Sequence, residues 1–185
     1  DTKIDDEALS ILLFTSGTTS QSKAVMLSQK NIASNVYAML CVEKFYDTDV
    51  NIAFLPFHHI FGSTCLIVML SSGVKTVFPD GLKYIKQNLK EYGVSVFVGV
   101  PLLIEAMYKN VQKEIQKQGK EKLIKTATKV SNALLKVKID VRRKLFKQVI
   151  DGLGGHLRFI ISGGAPADKE VIKAVKKLSY DKGYQ

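Results

Sequence analysis

The stretch Phe14-Thr15-Ser16-Gly17-Thr18-Thr19-Ser20-Gln21-Ser22-Lys23 sets hydroxyl side chains on both sides of one glycine and ends on a lysine. Glycine permits the dihedrals of a tight cradle and lets the backbone come close to an anion. The hydroxyls of Thr15, Ser16, Thr18 and Thr19 can donate to phosphate oxygens, and Lys23 can neutralise charge on a β- or γ-phosphate. The same composition also describes an ordinary polar surface turn, and content alone favours that bland reading. The spacing G-x-x-x-x-G-K-[ST] is absent, so this is not a Walker A loop.

Two further stretches have chemical potential. Leu55-Pro56-Phe57-His58-His59-Ile60-Phe61-Gly62 places paired histidines after a proline that should stop a strand. A histidine on an apolar face is more often structural. Adjacent histidines could also begin a metal site, but no Cys, Asp or Glu cluster accompanies them, and no metal ligand is assigned. Ser162-Gly163-Gly164-Ala165-Pro166 reads as a strand-to-helix turn. Such a turn at the carboxyl end of a parallel strand is also where α/β sheets bind ligands.

The elements that must position these residues follow from periodicity. Ala8–Phe14 is a short apolar run and reads as a buried strand. Ala24–Leu27 is a second strand, and Ser28 is the natural N-cap of a helix reaching about Cys41. Strands are predicted at Asn51–Leu55, Val74–Phe78, Val94–Val98 and Leu157–Ile161. Helices are predicted at Ile60–Leu70, Lys83–Glu91, from Pro101 onward, and at Asp168–Leu178. Alternating strands and helices with short connections predict an α/β layered domain, with a mainly parallel sheet flanked by helices. Leu123, Ala127, Val130, Leu134, Val141, Leu145 and Val149 fall near helical spacing, so one long amphipathic helix or two should occupy that region.

The 185 residues suit one globular domain or a large piece of one. The formal charge of +10 is concentrated: between Lys109 and Lys147, thirteen Lys and Arg face three acids, a net of +10, so the remainder balances to zero. A charge run of this kind is most often a solvated face. Its functional reading is contact with an anionic membrane surface; nucleic acid is not expected, because no aromatic interleaving or binding motif is present. No run of about 18 apolar residues predicts a membrane span. The acidic start Asp1-Thr2-Lys3-Ile4-Asp5-Asp6-Glu7 is no signal peptide. Cys41 and Cys65 read as small buried hydrophobes. A cytoplasmic protein, with membrane association through the basic segment, is the expectation.

Residue order adds a resemblance. Thr15, Ser16, Gly17, Thr18, Thr19 and Lys23 match the signature T-S-G-[ST]-T-G-x-P-K-G of the adenylate-forming, or AMP-binding, superfamily, which includes acyl-CoA synthetases, aryl-CoA ligases, beetle luciferases and peptide-synthetase adenylation domains. Three positions depart from it: Ser20 and Ala24 stand where the signature has glycine, and Ser22 where it has proline, so the proline restraint is absent. Pro56 and His59 are similar to the family's proline-apolar-x-His motif, and Ser162–Pro166 to its S-G-G-A-P. The three motifs occur in the family's order, and the resemblance runs from about Ile4 to the end. Ile139-Asp140-Val141-Arg142-Arg143-Lys144-Leu145-Phe146, ahead of a Gly-Gly-x-Leu-Arg stretch, resembles long-chain fatty acyl-CoA synthetases.

The resemblance implies that residues 1–185 form part of an AMP-binding domain with a helical insertion at about 109–150. It implies a long-chain fatty acid–CoA ligase using ATP, Mg2+ and coenzyme A, with a fatty acid as substrate. Thr15–Thr19 and Lys23 would hold the phosphates. His59, with Lys23, would serve catalysis, and Gly163, Gly164, Ala165 and Pro166 would border the nucleotide. Phe61 and Gly62 would line the substrate side. The alternatives are an adenylating ligase for an aryl or amino acid, or a basic helix acting as an anionic-membrane module. The family's Y-G-x-T-E motif, ribose-binding aspartate and C-terminal lysine are not found, so the chain reads as an internal fragment of a longer synthetase, with little or no ligase activity expected by itself.

Overall fold

A computed structural model describes residues 3–15, 23–120, 122, 124, 126, 127, 130, 131 and 151–178. The chain divides into two compact units: 1–48 with 53–76, and 49–52 with 77–185.

In the first unit, β1 (Leu9–Thr15) and β2 (Lys23–Ser28) form an antiparallel pair with Phe14 opposite Ala24 and Thr15 opposite Lys23. β2 runs directly into α1 (Gln29–Val42). Ser28 starts that helix as its sequence suggests: its hydroxyl accepts the Asn31 N–H at 3.3 Å, while the Asn31 side-chain oxygen accepts the Ser28 N–H at 3.0 Å. This reciprocal capping satisfies two donors that the first helical turn would leave bare. α2 (Ile60–Ser71) is apolar on nearly every side, and it packs against α1. It buries Cys65, Val68 and Met69. The helix closes where Gly73 and Val74 donate to the carbonyls of Leu70 and Met69.

Two expectations change here. The apolar run Leu9–Phe14 is not a buried strand: Leu9, Leu12 and Phe14 are exposed, as are Val25 and Met26 of its partner. A two-stranded ribbon has two faces, and apolar content alone does not say which is covered. Cys41 is exposed and only Cys65 is buried.

The second unit contains the parallel sheet. Its strands are β3 (Val50–Ile52), β4 (Lys75–Val77), β5 (Val96–Gly99) and β6 (Phe159–Ser162), in the order β4-β3-β5-β6. Asn51 pairs with Val96, and Val96 with Phe159, both in parallel. β5 is buried at every position, as a central parallel strand should be. A short 3-10 turn, Leu82–Tyr84, leads into α3 (Ile85–Glu91), which buries Ile85, Asn88 and Leu89. The buried Asn88 amide donates to Asp80 at 2.7 Å and accepts the Asp80 N–H at 3.2 Å. α4 (Pro101–Lys117) starts with proline at its first turn, and α5 (Lys169–Leu178) starts where Asp168 accepts the N–H groups of Glu170 and Val171. The basic segment is helical at residues 122, 124, 126, 127, 130 and 131, and Ala127 is buried beside Val111; Leu123, Leu134, Val141, Leu145 and Val149 lie outside the described residues.

One polar cluster ties the starts of three strands. Asp49, immediately before β3, is 4% exposed. Its carboxylate accepts from the Ser95 hydroxyl at 2.7 Å and from Arg158 Nε at 3.1 Å, and pairs with Arg158 Nη2. Ser95 Oγ in turn accepts the Val50 N–H at 2.9 Å, and the Ser95 carbonyl accepts the Arg158 N–H at 2.7 Å. The Arg158 guanidinium also stacks 4.4 Å from the Phe159 ring. A buried carboxylate needs such partners, and losing one side of a buried pair costs more than the pair contributes.

Asp49→Ala is expected to destabilise the protein by about 2–3 kcal/mol, because Arg158 keeps some solvent access, and Ser95→Ala by about 1 kcal/mol. Urea titration should show lower midpoints at unchanged slope; an Asp49→Ala shift below about 0.5 kcal/mol would remove the cluster's assigned role.

The cysteines predict a second measurement. Burial pushes the Cys65 thiol from its ordinary 9.0 up to about 11. Below about pH 9 the thiol is neutral in folded and unfolded chains alike, and its contribution to stability is fully present. Between about 9 and 11 the unfolded thiol ionises first, so that contribution is lost as pH rises through the folded value. At pH 8 a thiol reagent should label the exposed Cys41 rapidly and Cys65 slowly, with both fast in urea. Equal native rates would contradict the burial of Cys65.

Candidate functional site

The hydroxyl-rich loop joins β1 to β2, and the structure describes its two ends. Thr15 and Lys23 face one another as the last pair of the ladder, and the Thr15 hydroxyl donates to the Lys23 carbonyl at 3.4 Å. Ser16, Gly17, Thr18 and Thr19 lie outside the described residues, as do Ser20 and Ser22. The hairpin therefore brings the first hydroxyl and the lysine of the motif side by side. Both are exposed.

His59 occupies the N-cap of α2 in extended conformation, with φ −99° and ψ 133°. It does not cap with its side chain, and it is exposed. The turn before it is compact: the His59 N–H donates to the Pro56 carbonyl at 3.1 Å. Neighbouring His58 is also exposed, with its ring centroid 6.1 Å from that of His59. Gly62, one turn into the helix, is buried, and a β-carbon there would lie 2.5 Å from the Pro56 oxygen. Only glycine fits that approach. Among the described residues no group of three His, Cys, Asp or Glu could hold a metal ion.

In the second unit, Gly163, Gly164, Ala165 and Pro166 follow β6 at the carboxyl edge of the parallel sheet. Gly164 has φ +82°, a left-handed conformation that side chains rarely adopt. The Gly163 N–H donates to the Gly99 carbonyl at 3.4 Å. That bond identifies residues the motif search did not assign. Gly99 ends β5 opposite Ser162, Val100 is extended, and Pro101 opens α4. Of two adjacent parallel strands, β5 thus ends in glycine and β6 is followed by two, and each leads on to a helix, at the edge where open α/β sheets place ligands. The signal was present in the sequence: Gly99-Val100-Pro101 repeats in short form the strand-glycine-proline order of Ser162–Pro166. His59 belongs to the first unit and Gly163–Pro166 to the second.

Comparison with known proteins gives these elements a family context. The family model described as AMP-binding enzyme matches residues 1–184. Fatty acyl-CoA synthetase B of Dictyostelium discoideum is 33% identical over 183 residues, covering 91% of this chain and 27% of that protein. Long-chain-fatty-acid–CoA ligase 5 of Rattus norvegicus is 32% identical over 176 residues, covering 90% of this chain and 26% of that protein. The chain therefore spans about a quarter of the length of these curated relatives. Among solved structures, ATP-bound MatB from Rhodopseudomonas palustris matches with a TM-score of 0.63 at 24% identity, covering 95% of this chain and 28% of that one. At that identity the likeness is one of fold.

Proposed function

Because the chain belongs to the AMP-binding enzyme family, we propose that it works as part of an AMP-forming long-chain fatty acid–CoA ligase. The observation that carries this reading is the set of relatives named for that activity at about one third identity across nine tenths of the chain. Residues 1–185 would form part of the AMP-binding domain, with the basic helical segment at about 109–150 as an insertion.

In the proposed reaction a fatty carboxylate attacks the α-phosphorus of ATP, which enters as its magnesium complex. Acyl-adenylate forms and pyrophosphate leaves. The thiol sulfur of coenzyme A then attacks the acyl carbonyl and expels AMP. Such chemistry depends on alignment and on donors aimed at developing phosphate charge. Thr15, Ser16, Gly17, Thr18 and Thr19 would supply hydroxyl and backbone donors to the departing phosphates. Lys23, held opposite Thr15 by the β1–β2 ladder, would add a positive charge there. His59 would orient the carboxylate. Gly163, Gly164, Ala165 and Pro166 would let the nucleotide approach the sheet edge closely.

A second element of the reading concerns location. Lys109, Lys113 and Lys117 recur at four-residue spacing on α4 and are all exposed. Among the described residues no helix is long and apolar enough to cross a membrane. The lysine row supports peripheral contact of a cytoplasmic protein with anionic lipid, near a substrate that partitions into membranes.

The full-length protein carrying this sequence is expected to exchange radiolabelled pyrophosphate into ATP only when a long-chain fatty acid is present. Lys23→Ala should lower that exchange about 100-fold. Absence of exchange with every carboxylic acid supplied would sink the ligase reading. Exchange with only aryl or amino acids would reassign the substrate.

For the membrane reading, replacing Lys109, Lys113 and Lys117 by glutamine should weaken sedimentation with phosphatidylserine vesicles at least about tenfold, and added salt should weaken the parent likewise. Binding indifferent to both changes rejects lysine-mediated contact.

A further inference from the structure

Several backbone contacts converge on His59. Its N–H donates to the Pro56 carbonyl at 3.1 Å. Its carbonyl accepts the Ser63 N–H at 3.1 Å and the Ser63 hydroxyl at 3.2 Å, and that hydroxyl also lies 3.2 Å from the Ile60 carbonyl. The Pro56 carbonyl is itself confined from behind. A β-carbon on Gly62 would stand 2.5 Å from the Pro56 oxygen, 3.1 Å from its carbonyl carbon and 3.2 Å from Leu55 Cβ. The oxygen that receives the His59 N–H thus rests in the space that a side chain at 62 would fill.

An N-cap residue stands half outside its helix, so its backbone is less restrained than those that follow. At His59 both peptide groups are tied, one to Pro56 and one to Ser63. The imidazole meanwhile makes no capping hydrogen bond to α2. A side chain that the helix does not use, on a backbone fastened from both sides, suits a group that must meet a substrate in one orientation.

We propose that Gly62 and Ser63 are positioning residues for His59. Gly62 leaves the space that lets the Pro56 carbonyl take the His59 N–H, and the Ser63 hydroxyl fastens the His59 carbonyl. They act through His59 and do not themselves touch the reacting atoms. The kinetic part of the proposal rests on the ligase reading; the structural part does not.

The test uses the full-length protein and three variants. Gly62→Ala pushes a methyl group against the Pro56 oxygen, Ser63→Ala removes only a hydroxyl, and Ser63→Thr keeps it. The His59 imidazole resonances can be assigned by comparison with His59→Gln, whose spectrum lacks them. Gly62→Ala and Ser63→Ala should both move those resonances. They should lower kcat/KM for the fatty acid by about 10-fold and about 3-fold, with KM for ATP within about twofold of the parent. Ser63→Thr should restore both readouts, because its hydroxyl reaches the carbonyl four residues back. Unmoved His59 resonances in Ser63→Ala, or a Ser63→Thr that behaves like Ser63→Ala, would overturn the proposal. If the parent shows no acid-dependent exchange, the ligase reading fails, and the resonances alone still decide whether Gly62 and Ser63 position His59.

Discussion

The parallel sheet depends on one buried carboxylate. Asp49 sits where β3 begins, Ser95 where β5 begins and Arg158 where β6 begins, and the three are joined by direct hydrogen bonds. Parallel strands are connected by long crossovers, so no tight turn sets their register. A polar cluster at their amino ends can set it instead. Once Val96 is level with Phe159, Gly99 falls level with Ser162 three residues later. The two glycine-bearing exits at the carboxyl edge are therefore aligned from the opposite end of the strands. The Gly163 N–H to Gly99 carbonyl bond is the far-end consequence of that alignment.

The first unit works by local closure. Its candidate residues sit at junctions: Thr15 and Lys23 where a ladder ends, and His59 where a helix begins. Each junction is held by bonds spanning only a few residues. Such contacts cost little chain entropy to form, whereas the Asp49–Arg158 pair joins residues far apart in sequence and needs the crossover elements in place first. The two candidate regions thus depend on different orders of structure.

Legibility in the sequence follows the same division. Short-range devices were readable: the Ser28 cap, the Pro101 helix start and the alternation of strands and helices all carry local signatures. The exposure of Phe14 and Cys41 was not readable, because burial depends on what lies across from a residue and not on its own apolarity. The Asp49–Ser95–Arg158 cluster was missed for the same reason. Each member looks like an isolated polar residue beside an apolar run, and only sheet pairing brings them together. Among site residues, the 15–23 loop is singled out by residue order alone, since Ser, Thr and Gly compose plain turns and phosphate cradles alike.

The pairing of the loop's ends gives physical meaning to one departure from the family signature. Ala24 stands where that signature has glycine, yet here it lies inside β2, opposite Phe14. An extended, paired position does not need the freedom of glycine, and alanine there loses less conformational entropy on folding. Ser22, where the signature has proline, lies outside the described residues. What the structure describes are the two ends, the Thr15–Lys23 pair and the Thr15 hydroxyl bond to the Lys23 carbonyl. Both lie in the antiparallel pairing that Ala24 continues, so the position where the signature has glycine is here an ordinary ladder residue.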